Sequence, residues 1–171
     1  MSPYELKMKL DLVDDRARFV KEHSMSSVMN VIVTDDGHMH FFDSKGNDIT
    51  KSTISIKDSA FSWCESLKSI VIPDSVKSIG SWAFSDCSSL TSIVIPDSVI
   101  SIGECAFFNC SSLTSIVIPD SVKSIGDSVF RWCPSLKRVV FKGKTFEEVK
   151  SMADYPWGVE DKSVFKAEKA G

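Results

Sequence analysis

No run of 18 apolar residues occurs anywhere in the chain of 171 residues, so no segment reads as a membrane-spanning helix. A surplus of positive charge is missing too. Lys and Arg number 20 against 23 Asp and Glu, a net charge of −3, and neither nucleic acid nor insertion into a membrane is expected. Glycine is scarce at eight residues, and none of it gathers into a phosphate-cradling loop. The cysteines show no Cys-x-x-Cys spacing, which excludes a zinc motif of that kind. At the amino terminus, MSPYELKMKLDLVDDRARF carries a charge at every second or third position and no apolar stretch of the secretory type. A cytoplasmic location with reduced thiols is the expectation.

Serine is what the chain has in excess: 29 residues, 22 of them between Ser52 and Ser135. Such density signals a flexible tract unless it is periodic, and here it is periodic. The segments SLKSIVIPDSVKSIGSWAFSDCS (66–88), SLTSIVIPDSVISIGECAFFNCS (89–111) and SLTSIVIPDSVKSIGDSVFRWCP (112–134) agree at 15 of 23 positions. A degenerate copy lies near 49–65 and a truncated one at 135–144. A unit of 23 residues has too little apolar surface to fold alone, so copies must stack, like residue above like. At about 4.8 Å per strand, about five rungs span roughly 20 Å.

Within a copy, Ile70 and Ile72 alternate as the inward face of a strand, with Leu67 anchoring the turn before it, and Pro73 ends the strand for want of an N–H. Val76 and Ile79 point inward from a second extended stretch. Gly80, Gly103 and Gly126 are expected to turn the chain at a left-handed position. Ser81 to Cys87 reads as a helical turn that buries Ala83 and Phe84. The serines between these positions are scaffold, their hydroxyls available to turn backbone groups.

The pattern LxSIxIPxSVxSIGxxAFxxCxS resembles the BspA-like leucine-rich repeat family, a bacterial class that includes surface antigens. The resemblance implies a short curved solenoid that binds other macromolecules, and many relatives are secreted adhesins. The fold class expected is an α/β repeat, a leucine-rich-repeat solenoid of about five rungs with a parallel sheet. Three regions follow: a helix and β-hairpin cap at 1–48, the solenoid at 49–144, and a capping helix with a polar tail at 145–171.

The caps have their own signals. Ser2-Pro3-Tyr4-Glu5 favours a helix start, and Leu6, Leu10, Val13, Ala17 and Val20 continue at helical spacing to His23; Tyr4, Leu6, Met8, Leu10 and Leu12 also alternate as a strand would, and the capping signal favours the helix. Two apolar runs, 28–33 and 38–42, flank Asp35-Asp36-Gly37 as a hairpin. Thr145 and Glu148 form a capping box opening a helix to about Ala153, with Phe146, Val149, Met152 and Trp157 covering the last rung.

Candidate chemistry is thin. His38 and His40 share one strand face and are weak candidates for a shared metal, beside the plainer reading of a solvated hairpin face. No cofactor is implied. Cys64, Cys87, Cys110 and Cys133 recur once per rung and read as a reduced, buried ladder. Cys105 lies off that ladder as the accessible thiol. Asp74, Asp97 and Asp120 are locked into the repeat, and an enzyme is not expected.

Two surfaces remain. Val71, Val94, Val117 and Val140 form an outward stripe on the sheet, flanked by Ser69, Ser92, Ser115 and Arg138. The copies disagree at Trp82, Asp86, Phe108, Asn109, Arg131 and Trp132, residue types that interfaces favour. The expected function is a non-catalytic module that binds a protein partner through one of these, as a monomer or weak homo-oligomer. Alternatives are a small phage or mobile-element inhibitor of a host enzyme or defence complex, a surface adhesin lacking its export signal, and a metal site at the hairpin.

Overall fold

The computed structural model describes residues 30–33, 39–42, 47–48, 50–52 and 55–169. The expected helix over 2–23 lies outside them. Strands β1 (Asn30–Val33) and β2 (Met39–Phe42) pair antiparallel, Asn30 opposite Phe42 and Val33 opposite Met39, which is the hairpin read from the sequence.

From Ser55 onward the chain climbs in parallel rungs, each with two short strands and a run of tight turns. The second strands of successive rungs, β3 (Ser55–Ile56), β5 (Ser78–Ile79), β7 (Ser101–Ile102) and β9 (Ser124–Ile125), make one parallel sheet. Their register places Ser55 beside Ser78, Ser78 beside Ser101 and Ser101 beside Ser124, one repeat per step. On the other side run β4 (Ser69–Val71) and β6 (Ser92–Val94), then β8 (Ser115–Ile118), β10 (Arg138–Phe141) and β11 (Phe165–Ala167). The two groups meet where the Thr114 N–H donates to Thr91 O at 3.4 Å. The result is a parallel-sheet solenoid of about five turns.

The core is the set of apolar columns the period dictates. Ile70, Ile72, Val76, Ile79, Ala83 and Phe84 are buried, as are their equivalents one and two repeats on. Phe61, Phe84, Phe107 and Phe130 stack ring over ring, with centroids 5.2, 5.6 and 6.1 Å apart and planes within 7° of parallel. Each such ring removes on the order of 2–3 kcal/mol worth of apolar surface from water.

Glycine does a different job from the one expected. None of Gly80, Gly103 and Gly126 adopts a positive φ; at Gly103 an added Cβ would lie 2.5 Å from Ser81 N and 2.6 Å from Gly80 C. The glycine column lets one rung's backbone touch the next. Positive φ falls instead on the variable residues of the turns: Ser59, Trp82, Cys105 and Ser128 in one column, Trp63, Asp86, Asn109 and Trp132 in another. The expected helical turn is therefore a series of tight turns, whose N–H groups bond the next rung. Trp82, Phe84 and Asp86 donate to the carbonyls of Glu104, Ala106 and Phe108, each at 2.8 Å.

At the carboxyl end the capping box forms, Thr145 Oγ1 accepting from the Glu148 N–H and Glu148 Oε2 from the Thr145 N–H. It opens a short helix α1 (Phe146–Ser151) that buries Val149, while Phe146 stays exposed rather than covering the rung. The segment read as a polar tail is also different. Lys162–Val164 makes a 3-10 turn and β11 adds to β10 in parallel, burying Val164 and Phe165. Trp157 is fully buried against Phe141 and Phe165, with its Nε1 donating to Ala153 O at 2.9 Å.

Candidate functional site

The two surfaces fare differently. On the sheet face Val94 and Val117 are 54% and 40% exposed, but Val71 is half-buried and Val140 only 4% exposed. Val140 does not extend the stripe because β11 lies beside it, Lys166 opposite Val140 on one side and Val117 on the other. Ser92, Ser115 and Arg138 are exposed around the remaining pair.

On the turn face the structure brings the variable residues together. Trp82, Phe108 and Trp132 come from three rungs and from three different places in the repeat, so they line up on a diagonal. The Trp82 and Phe108 rings are 5.2 Å apart and those of Phe108 and Trp132 4.9 Å, tilted by about 50° in each pair. Arg131 extends its guanidinium over the Trp132 ring at 5.4 Å. Trp132 is 61% exposed and Trp82 38%.

Beside this ridge lies a polar chain that fixes the turns. Asn109 Nδ2 donates to Asp86 Oδ1 at 2.8 Å, Ser85 Oγ donates to Asp86 Oδ2 at 3.0 Å, and Ser62 Oγ meets Ser85 Oγ at 2.9 Å. Asp86 is buried, and both its oxygens accept a bond, as burial of a carboxylate requires. Asp86 and Asn109 therefore serve the scaffold more than the surface. Trp63, 54% exposed, was not singled out in the sequence. The signal was there, because Trp63 occupies the repeat position of Asp86, Asn109 and Trp132, but the degenerate first copy hides it.

The cysteine ladder is as read, with free thiols buried at Cys64, Cys87 and Cys110 and half-buried at Cys133. Cys105 reverses the expectation, being buried, with its thiol pushed up by burial and then by Glu104 and Asp127. His40 Nδ1 lies 3.6 Å from Asp48 Oδ2, whose carboxyl is held low mainly by a hydrogen bond from Thr50, with His40 contributing. His38 lies outside the described residues, and among the described residues no three His, Cys, Asp or Glu side chains gather to hold a metal. No helix among them is long and apolar enough to cross a membrane.

Geometry of this kind defines a leucine-rich-repeat solenoid. Residues 42–154 match the model of the BspA type leucine rich repeat region in 6 copies, and the chain belongs to that family. Solved structures agree. A leucine-rich repeat protein from Bacteroides capillosus is 29% identical, with a TM-score of 0.53 over 66% of this chain and 93% of that one. The pneumococcal vaccine antigen PcpA is 28% identical, with a TM-score of 0.54 over 69% of this chain and 30% of that one. A leucine rich cell surface protein from Faecalibacterium prausnitzii, 24% identical, shares the fold at a TM-score of 0.58 over 82% of this chain and 40% of that one. The chain thus spans well under half the length of two of these relatives. No curated protein sequence matches it. Leucine-rich-repeat proteins generally mediate protein–protein interaction or surface binding.

Proposed function

We propose that this protein is a non-catalytic binding module that engages a protein partner through its turn face, with Trp82, Phe108, Trp132 and Arg131 as the contact. One observation carries the reading: residues that break an otherwise uniform repeat join into a single exposed aromatic ridge. Two of its members hold a costly backbone. Trp82 and Trp132 sit at φ of 60°, a region that costs a non-glycine residue roughly 1–2 kcal/mol. The repeat imposes that backbone on every rung, since Ser59, Cys105 and Ser128 share the column of Trp82, so a small residue serves the turn and the fold alone does not call for tryptophan there. Aromatic and Arg anchors are the residues on which binding energy concentrates.

The test is capture of a protein partner by the wild-type chain, followed by Trp82→Ser and Phe108→Ser. Each is expected to weaken binding about 30-fold or more, the loss typical of a hot spot, without lowering the melting temperature. Retained binding by both, with loss on Val94→Glu, would move the contact to the sheet face. A second reading, presentation of the same ridge outside a cell, is favoured by the likeness to the pneumococcal antigen. Fractionation of the source cells decides it.

A further inference from the structure

Where the last rung meets the carboxyl-terminal cap there is an open cleft of about 470 Å³, lined by Arg131, Trp132, Leu136, Val159, Glu160 and Val164 among others. Its origin is an incomplete ladder. In every earlier rung the third turn N–H bonds the rung above: Trp63 to Ser85 O, Asp86 to Phe108 O, Asn109 to Arg131 O, at 2.8 to 2.9 Å. In the last rung the cap stands in for the missing neighbour only partway. Trp157 O accepts from the Phe130 N–H at 3.0 Å, and Gly158 packs so closely that a Cβ there would lie 2.7 Å from Arg131 Cβ. The chain then turns off through Val159 to Asp161. Among the described residues the Trp132 N–H is left without an acceptor, and Arg131 without a carboxylate.

The two acidic groups of the cleft do not fill that need. Asp161 turns its carboxylate back to the Ser163 N–H at 3.0 Å, and Glu160, exposed on the rim, has no ion pair among the described residues. What remains among the described residues is a cation with no carboxylate partner, a backbone donor with no acceptor, and a floor of Phe130, Leu136 and Val164 of which only a narrow strip of each is exposed. We infer that this cleft receives an acidic linear segment of the partner protein. One backbone carbonyl of the segment takes the Trp132 N–H, as the next rung would. An Asp or Glu side chain pairs with Arg131, and a neighbouring aliphatic residue covers the floor. The inference rests on the protein-binding reading and names the chemistry of what is bound.

The full chain is panned against a library of short linear peptides, with the Arg131→Gln variant as counter-selection. Enriched sequences are expected to carry Asp or Glu beside Leu, Ile or Val. The best peptide should bind about tenfold or more weakly to Arg131→Gln, and its amide analogue equally weakly to the wild type, as loss of a charge-assisted hydrogen bond requires. Glu160→Gln should bind it at least as tightly as wild type. With only four tryptophans in the chain, a spectrum of the 15N-Trp protein should show one backbone amide, that of Trp132, moving downfield on binding. Enrichment without acidic residues, insensitivity to Arg131→Gln, or binding only through a free carboxyl terminus would overturn the inference, as would no enrichment at all. Trp82 does not line the cleft, so Trp82→Ser should lose the partner yet keep the peptide. Failure to capture any protein while the peptide still binds would count against the ridge alone.

Discussion

Cys110 Sγ donates to the carbonyl oxygen of Phe84, 3.1 Å away in the rung below, and it is the donor that satisfies this buried oxygen. Cys87 makes the same bond to Phe61 O and Cys133 to Phe107 O, also at 3.1 Å. The thiol is small enough for the core and still carries a hydrogen. Cys110→Ala should therefore cost about 2–3 kcal/mol, from a small cavity plus an unpaired carbonyl. Cys110→Ser, which keeps a donor, should cost about half that. Urea unfolding measures both, and equal losses would mean that the S–H bond contributes nothing.

Thiol reactivity follows from the same burial. Desolvation raises the Cys87 and Cys110 thiols far above their usual range and pushes Cys133 up to about 12. At pH 8 none of the three supplies much thiolate, and only Cys133 is partly accessible. A chromogenic disulfide reagent should titrate at most one thiol slowly in the native protein and all five after denaturation. Fast reaction of two or more native thiols would contradict the ladder.

The close approach at Gly103 and the left-handed backbone at Ser128 predict outcomes of very different size for two simple exchanges. Gly103→Ala drives a methyl group to 2.5 Å from Ser81 N, which must push two rungs apart. A loss of about 3 kcal/mol or more is expected, the upper end for overpacking. Ser128→Gly, at a φ of 54°, relieves backbone strain but adds unfolded-state entropy. The two offset, and stability should change by less than about 0.5 kcal/mol.

What was legible in the sequence was whatever repeats. Ile70, Ile93 and Ile116 are each buried because one position had to serve every rung, and a period exposes such a position at once. Less legible was anything created by stacking. Trp82, Phe108 and Trp132 occupy different repeat positions, so their contact exists only after three rungs are superposed. Gly103 carries the same residue code for a turn and for a close contact, and only the distance to Ser81 separates them. The final strand was hidden for a simpler reason: Phe165-Lys166-Ala167 is too short and too polar to stand out, and it becomes a strand because Val139 and Phe141 present an open edge. Val140 lost its exposure through that same pairing.

Asp120 and Lys144 give a prediction with a defined pH sign. Lys144 Nζ donates to Asp120 Oδ1 and to Asp120 O, each at 3.0 Å, closing the turn in which Gly143 packs on the Asp120 side chain. The hydrogen bond and charge of Lys144 hold the Asp120 carboxyl below its ordinary value. A carboxyl that binds its proton less readily folded than unfolded contributes stability above the unfolded pKa of about 4. That contribution fades as pH falls through the lower folded value. Asp120→Asn removes the titrating group while keeping the shape that Gly143 packs against. Its melting temperature should therefore lie below that of the wild type at pH 7, the gap should close from about pH 4 downward, and at neutral pH added salt should narrow it, since the pair is exposed on the carboxylate side. A gap that persists undiminished at the lowest pH would mean that the difference does not come from the charge of the Asp120 carboxylate.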